Sequence, residues 1–232
     1  MKIKIFGDGA NLEDMIKAHE EKTVNGFTTN PTLMKQAGII DYEKFAKEVL
    51  EKIQDVPISF EVFSDDFESM EKEALLINSW GKNTNVKIPI MNTKGESSIP
   101  LIKKLSEQGV QLNITAVFTT HQIDEIYNVL NLNMQNIVSI FAGRIADTGI
   151  DPTIIVRYAV EKFKNTNVDI LWASTREVYN IIQADECECD IITVTYDIIK
   201  KMKNIGKNLR QFSLETVQMF RSDAISSGFK IL

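Results

Sequence analysis

The chain has 232 residues, of which 44% are hydrophobic and 25% charged, so it is long enough for one large globular domain or two small ones. Its formal net charge of −6 argues against nucleic acid or an anionic membrane surface as a partner. No apolar run approaches the roughly 20 residues that span a bilayer, and we expect no signal peptide because the N-terminus begins with strand-like alternation. Cys187 and Cys189 lie too close in sequence for an unstrained bridge, so we expect free thiols and a cytoplasmic protein.

Short apolar segments recur along the whole chain. Each is rich in Ile, Val or Phe, which is the pattern of strands covered on both faces. The predicted strands are 2–8, 26–30, 58–63, 85–90, 112–118, 137–143, 168–174 and 191–197.

Amphipathic stretches separate these strands. Asn11 and Asp41 precede two of them as predicted helix N-caps. The predicted helices are 12–22, 42–54, 67–80, 98–108, 121–130, 152–164, 176–184 and 198–203.

Eight successive βα units in one chain of this length predict an α/β fold, a single (β/α)₈ TIM barrel. A doubly wound open sheet is the alternative. No Gly- or Pro-rich linker divides the chain, so we expect one domain over residues 1–232. Residues 209–226 are predicted to form an extra C-terminal helix, followed by an apolar tail at Phe229, Ile231 and Leu232. This end of the chain either packs on a neighbouring subunit or closes its own barrel.

Lys87 stands in the middle of the apolar segment 85–90. A buried ammonium must find partners or lose its proton, because burying an isolated charge is very costly. A neutral lysine amine is a nucleophile that forms a Schiff base with a carbonyl substrate. The alternative is a lysine at a strand end with its amine in water.

Other polar residues occupy equivalent places near the ends of the predicted strands. In this fold the chemistry sits at the C-terminal ends of the strands. Taken singly, these residues are explained as helix caps, a buried ion pair or surface charges, but polar groups on seven consecutive strands indicate a pocket. The residues are Asp8, Asn30, Glu61, Lys87, Asn113, Thr115, Ser139, Arg144, Ser174 and Arg176.

The chemistry available to these residues is specific. Lys87 supplies the amine, and Glu61 with Thr115 can shuttle protons through a water. Asp8 can take the proton from a substrate hydroxyl while a carbon–carbon bond breaks. Two arginines beside serine hydroxyls suit a phosphate group, through forked charge-assisted hydrogen bonds. Together these groups describe a Schiff-base aldolase that acts on a sugar phosphate.

Five motifs in order give the chain a family resemblance over residues 2–202. The motifs are Gly-Phe-Thr-Thr-Asn-Pro at 26–31, Val-Lys-Ile-Pro at 86–89, Leu-Asn-Ile-Thr-Ala-Val-Phe at 112–118, Ser-Ile-Phe-Ala-Gly-Arg-Ile at 139–145 and Ala-Ser-Thr-Arg at 173–176. With them the chain resembles a transaldolase of the short type, which is related to fructose-6-phosphate aldolase.

The resemblance implies roles for the polar residues. Lys87 would form the Schiff base with C2 of a ketose phosphate, Asp8 would be the acid/base for C3–C4 cleavage, and Glu61 with Thr115 would hold the catalytic water. Asn30 and Asn113 would bind the three-carbon fragment, Ser139 substrate hydroxyls, and Arg144, Ser174 and Arg176 the phosphate. The resemblance implies no metal or organic cofactor, a place in the pentose phosphate pathway, and a homo-oligomer, commonly a decamer.

Three positions depart from the family pattern. Gly9 stands where a hydroxyl residue is usual, which leaves Asp8 in place but less constrained. Thr175 replaces a phenylalanine beside Arg176, and Thr195 replaces a proline in the last strand.

Two other functions are considered. A fructose-6-phosphate aldolase releases free dihydroxyacetone and typically has glutamine and tyrosine where this chain has Glu61 and Phe141, so both positions favour transfer. We place Phe141 beside the bound fragment. A non-catalytic sugar-phosphate-binding barrel has no need of the reactive amine of Lys87.

Overall fold

The computed structural model of the protein describes residues 1–231 and contains eight β-strands in that range. They are β1 (Lys4–Asp8), β2 (Gly26–Thr28), β3 (Ile58–Glu61), β4 (Thr84–Pro89), β5 (Leu112–Val117), β6 (Asn136–Ile140), β7 (Val168–Trp172) and β8 (Ile191–Thr195). Every strand pairs in parallel with the next, and β1 also pairs with β8, so the sheet closes. The predicted (β/α)₈ barrel is confirmed.

Helices connect the strands on the outside of the barrel. Within residues 1–231 they are α1 (Leu12–Glu20), α2 (Pro31–Gln36), α3 (Tyr42–Lys52), α4 (Phe67–Asn78), α5 (Ile99–Glu107), α6 (Thr120–Val129), α7 (Ala142–Ala146), α8 (Thr153–Lys162), α9 (Tyr179–Glu186), α10 (Tyr196–Lys201), a 3₁₀ turn (Met202–Asn204) and α11 (Leu209–Ser226). Asn11 and Asp41 cap α1 and α3 as predicted, each accepting a backbone N–H bond at 3.0 Å.

The sequence pattern misses two short helices that follow strands. Predicted strand 26–30 ends at Thr28, because Asn30 caps α2 and Pro31 occupies its first turn. Predicted strand 137–143 ends at Ile140, and the next residues form α7. That run is apolar except for Ser139, and a mainly apolar run alone does not distinguish a strand from a buried helix. The other predicted bounds differ from the observed ones by a few residues.

An apolar layer closes the middle of the barrel and forms the floor below the strand ends. Its buried side chains come from four strands and from the segment that follows β7, and they are Phe6, Ile137, Leu171, Ala173 and Ile191. Gly26 makes room for the ring of Phe6, since a Cβ at Gly26 would lie 2.5 Å from that ring. The polar residues on the same inner face lie above this layer, at the carboxyl ends of the strands.

Helix α11 extends beyond the barrel and buries none of its own residues, 209–226. Leu209, Val217 and Phe220 are 81%, 61% and 62% exposed, so the helix does not close its own barrel. In the tail, Phe229 and Ile231 are exposed, whereas Leu232 lies outside the described residues. Among residues 1–231 there is no helix with the length and apolar character to cross a membrane.

Candidate active site

A cavity of about 370 Å³ opens at the carboxyl ends of the strands. Every predicted site residue lines it except Asn113, which is buried beside it and bonded to Ser59 and Ser139. The predicted residues around the cavity are Asp8, Asn30, Glu61, Lys87, Thr115, Ser139, Phe141, Arg144, Ser174 and Arg176. The barrel therefore brings together residues that are scattered over more than 160 positions of the sequence.

Lys87 lies at the bottom of the cavity and is paired. Its Nζ is 3.0 Å from Glu61 Oε2, and it also donates to the Thr29 carbonyl at 3.0 Å. The two charged side chains are only 9% and 17% exposed. The buried ion pair considered from the sequence is thus present. The same contact gives the amine a carboxylate that can receive its proton, which nucleophilic attack requires.

Asp8 is held by hydroxyl groups from two other strands. The Thr28 hydroxyl donates to Asp8 Oδ1 at 2.8 Å, and Thr28 Oγ1 lies 2.5 Å from Thr193 Oγ1. Since the single Thr28 proton points at Asp8, the Thr193 hydroxyl donates to Thr28. Burial raises the pKa of Asp8 above its ordinary value, while the charge of Lys87 and the Thr28 hydrogen bond act in the opposite direction.

Thr28 and Thr193 were not predicted as site residues. Thr28 precedes Asn30 by two positions, so the alternation of a strand offered a signal for it. Thr193 lies in the last strand, in a segment that carries no motif of its own, and only the closure of the barrel brings it beside Thr28.

The middle of the cavity wall comes from β5 and β6. The Thr115 hydroxyl is buried and has no hydrogen-bond partner among residues 1–231. A register shift follows it, and Ala116 takes a left-handed conformation with φ of 58°, a kind of irregularity that often occurs beside active sites. Asn113 donates to Ser59 Oγ at 2.9 Å and accepts from Ser139 Oγ at 2.7 Å. Asn113 therefore fixes the position of the Ser139 hydroxyl.

Two further positions show how the local fold shapes the cavity. The Asn30 side-chain oxygen accepts from Leu33 N at 3.0 Å as the cap of α2, which leaves the amide N–H groups of Asn30 available. Phe141 stands at the start of α7, and its ring packs on that of Phe118 with a centroid separation of 5.7 Å.

Arg144, Ser174 and Arg176 lie on the rim of the cavity. Arg176 Nη2 donates to Asp147 Oδ2 at 2.5 Å, whereas Arg144 is exposed and meets no carboxylate within residues 1–231. Ser174 has a positive φ of 63°. Gly143 allows that conformation to pack closely, because a Cβ at Gly143 would lie 1.6 Å from the Ser174 carbonyl oxygen.

The departures from the family pattern have structural counterparts. A Cβ at Gly9 would lie 2.6 Å from the ring of Tyr196, so that ring occupies the place of a side chain at position 9. The Thr175 hydroxyl donates to the Thr193 carbonyl at 2.7 Å and thereby ties the rim loop to β8. Thr195 lines the cavity.

A larger cavity, of about 490 Å³, lies at the opposite end of the barrel. It is lined by amide side chains and by Lys4, which is already paired with Asp169 at 3.1 Å. Active sites in this fold lie at the carboxyl ends of the strands, so we assign the chemistry to the smaller cavity. No group of three His, Cys, Asp or Glu side chains within residues 1–231 is arranged to hold a metal ion.

Comparison of the whole chain with known proteins gives a consistent result. A profile described as Transaldolase/Fructose-6-phosphate aldolase matches residues 5–230. A probable transaldolase of Thermoanaerobacter sp. (strain X514) is 33% identical over 232 residues, covering 99% of this chain and 100% of the relative. A probable transaldolase of Nitrosopumilus maritimus (strain SCM1) is 32% identical over 204 residues, covering 86% of this chain and 87% of the relative.

Solved structures agree on the fold. The crystal structure of KGPDC from Streptococcus mutans superposes with a TM-score of 0.60 at 11% identity, covering 86% of this chain and 91% of that one. A putative lyase/mutase from Burkholderia cenocepacia J2315 gives a TM-score of 0.62 at 9% identity, covering 94% and 83%.

The fold and the site define a (β/α)₈ barrel with a lysine-containing cavity at the carboxyl ends of its strands. With the profile match, this chain belongs to the transaldolase/fructose-6-phosphate aldolase family.

Proposed function

We propose that the protein is a transaldolase. It moves a dihydroxyacetone unit from fructose 6-phosphate or sedoheptulose 7-phosphate to erythrose 4-phosphate or glyceraldehyde 3-phosphate, in the pentose phosphate pathway. The observation that carries the proposal is the buried Lys87 amine, 3.0 Å from the Glu61 carboxylate, below a rim that bears two arginines.

The first step joins Lys87 to the substrate. Glu61 takes a proton from the ammonium, and the free amine adds to the ketone carbon C2. The carbinolamine then loses its hydroxyl as water and becomes a Schiff base. This step needs a proton donor beside the leaving hydroxyl. A water held by Glu61 and by the Thr115 hydroxyl, which has no partner among residues 1–231, supplies it.

The second step breaks the C3–C4 bond. Asp8 accepts the proton of the C4 hydroxyl, the C3–C4 electron pair moves into the Schiff base, and an aldose phosphate leaves. The three-carbon enamine stays on Lys87. Burial raises the pKa of Asp8, so the carboxyl accepts a proton more readily than an ordinary aspartate.

Hydrogen bonds and charges hold the substrate during both steps. Arg144, Ser174 and Arg176 bind the phosphate, and Ser139 and the Asn30 amide bind hydroxyl groups. Asn113 contributes through Ser139, whose hydroxyl donates to it at 2.7 Å. A neutral hydrogen bond contributes only about 1 kcal/mol, whereas bonds to an anion contribute about 1.5–3 kcal/mol each, so the phosphate dominates binding.

Transfer is completed when a second aldehyde meets the enamine before water does. Phe141 presents an apolar ring to the cavity and so offers no hydroxyl to hold a water near the enamine. The absence of a hydroxyl on Phe141 supports transfer of the dihydroxyacetone unit over its release. The alternative activity of the same site is that of a fructose-6-phosphate aldolase.

The test is turnover of fructose 6-phosphate with and without erythrose 4-phosphate. A transaldolase turns over repeatedly only when the acceptor is present, and it then forms sedoheptulose 7-phosphate together with glyceraldehyde 3-phosphate. An aldolase would instead release free dihydroxyacetone, and it would cleave fructose 6-phosphate at the same rate with and without the acceptor. If fructose 6-phosphate is neither turned over nor joined covalently to the protein, the remaining interpretation is a non-catalytic sugar-phosphate-binding barrel.

We also propose a homo-oligomer, because α11 exposes Leu209, Val217 and Phe220 to solvent in the isolated chain. A second copy of the chain covers this helix in the proposal. Sedimentation of the full chain measures the subunit number, and a monomer at micromolar concentration would contradict the proposed oligomer.

Sugar phosphates are metabolites of the cytoplasm, and we place the protein there.

A further inference from the structure

The rim of the candidate site contains its own anion. Arg176 Nη2 is 2.5 Å from Asp147 Oδ2, and the two side chains are 50% and 55% exposed. Asp147 immediately follows α7, and Arg176 lies in the loop between β7 and α9. Arg144, the other rim arginine, meets no carboxylate within residues 1–231. The two guanidinium groups of the proposed phosphate clamp therefore differ: one is neutralised and one is open.

Backbone packing fixes this pair. Gly143 N donates to the Ala173 carbonyl at 3.3 Å, and the Gly143 Cα has no room for a side chain beside the Ser174 carbonyl. Asp147 follows Gly143 by four positions, and Asp147 N donates to the Gly143 carbonyl at 3.0 Å, so both lie on one face of the same helical turn. The packing that joins α7 to the loop after β7 therefore also holds Asp147 beside Arg176.

We propose that Asp147 is the internal counter-ion of the phosphate clamp and weakens phosphate binding by competing for Arg176. The inference rests on the proposed function only in identifying the phosphate as that of a sugar phosphate. Without substrate, the Asp147 carboxylate is bonded to the Arg176 guanidinium. The phosphate of an arriving substrate displaces this carboxylate from the guanidinium. A phosphate group carries a charge of about −1.5 to −2 at pH 7 and displaces a single carboxylate, whereas a neutral sugar does not.

Binding of inorganic phosphate, measured by titration calorimetry at pH 7, tests this without catalysis. Asp147→Asn removes the competitor and should tighten phosphate binding about two- to fivefold, the size expected for an exposed ion pair. Asp124→Asn is the matched control. It removes the same charge from another partly exposed pair, with Lys162 at 2.7 Å on the outer helices, and should bind phosphate like the wild type.

Repeating the measurement in an Arg176→Ala variant separates competition for Arg176 from a general effect of the protein's charge. The gain from Asp147→Asn should disappear when Arg176 is replaced by alanine, and it should shrink in 0.5 M NaCl because exposed pairs are screened by salt. Asp147→Ser, which also removes the charge, provides the same comparison if the asparagine variant folds poorly.

Unchanged or weaker phosphate binding in both Asp147 variants would overturn the inference, since Asp147 would then orient Arg176 and not compete for it. A gain that persists without Arg176 would also overturn it. The outcome is independent of the transaldolase assignment, which fails separately if ketose phosphate does not label Lys87. Where activity is found, the KM for fructose 6-phosphate should fall in Asp147→Asn, and the KM for dihydroxyacetone should not change.

Discussion

Glu61 and Lys87 stand directly opposite each other on β3 and β4, with the carboxylate 3.0 Å from the amine. The pair is nearly buried, and burying two charges costs more than their attraction returns unless further hydrogen bonds are made. Lys87 makes one such bond, to the Thr29 carbonyl. This pair is therefore a weak source of stability, and we interpret it as an arrangement for chemistry.

The first prediction concerns Asp8 and pH. Asp8 must be ionised to accept a proton, so turnover should fall as the pH drops through the pKa of Asp8, which burial raises above the ordinary value of 3.8. Thr28 stabilises the ionised form by donating a hydrogen bond. Thr28→Val should therefore raise this pKa further and move the acidic limb of the kcat profile to higher pH.

The control for Thr28→Val is Thr23→Val, which removes a hydroxyl bonded to the Ala18 carbonyl outside the cavity. Its pH profile should match the wild type. A Thr28→Val profile that is lower at every pH but has an unshifted acidic limb would show that Thr28 does not tune Asp8.

The second prediction concerns the phosphate clamp. Arg144→Ala should raise the KM for fructose 6-phosphate about ten- to hundredfold, because a hydrogen bond to an anion is worth about 1.5–3 kcal/mol. Arg176→Ala should raise it less, because this guanidinium is already bonded to Asp147. Steady-state kinetics with dihydroxyacetone as the donor provides the reference, and there both variants should behave like the wild type. Equal losses with both donors would mean that the arginines are structural.

The third prediction concerns Gly143. A Cβ there would lie 1.6 Å from the Ser174 carbonyl oxygen, and a backbone atom cannot rotate away. Gly143→Ala should therefore lower the free energy of unfolding by about 1–3 kcal/mol in urea titrations and raise the KM for phosphorylated substrates.

Gly81→Ala is the matched control, because its nearest neighbour is the flexible end of Leu50, at 3.2 Å. It should have little effect on either quantity. If Gly143→Ala were as stable as the wild type and had the same KM, the close packing at Ser174 would not position the phosphate clamp.

Much of this site could be predicted from the sequence because the barrel repeats one simple rule. Alternating residues of a strand face inward, and the carboxyl ends of all strands meet at one face. A polar residue near the end of a predicted strand, such as Lys87 or Glu61, is therefore placed in the cavity without knowledge of any contact. The (β/α)₈ order followed from the same repetition.

The rest depended on contacts between distant segments. Thr193 meets Thr28 only because β8 closes on β1, which is a property of the whole sheet. Asp147 meets Arg176 only because α7 begins immediately after β6, inside a run that reads equally well as a strand. The bonds of Asn113 to Ser59 and Ser139 likewise join three strands, and the sequence of β5 alone gives no sign of them.

The fourth prediction concerns transfer and release. Phe141→Tyr places a hydroxyl at the cavity wall, where it can hold a water or donate a proton to the enamine. Release of dihydroxyacetone from fructose 6-phosphate without acceptor should rise, and transfer to erythrose 4-phosphate should fall. General acid–base assistance contributes about 10²–10⁴-fold, so a partial effect would be measurable.

Phe118→Tyr is the control for this change, because Phe118 packs on Phe141 but does not line the cavity. It should leave the ratio of release to transfer unchanged. The same ratio in Phe141→Tyr and the wild type would contradict the role given to Phe141.

The central claim is that Lys87 forms the Schiff base. Incubation with fructose 6-phosphate and borohydride, followed by peptide mass spectrometry, tests it most directly. Lys87→Met retains much of the side-chain volume but cannot attack a carbonyl, and Lys82→Met is the control at the opposite end of the barrel. We predict a reduced three-carbon or six-carbon adduct on Lys87 in the wild type and in Lys82→Met, and neither labelling nor turnover in a folded Lys87→Met. An adduct on another lysine, or labelling that persists in Lys87→Met, would contradict the account.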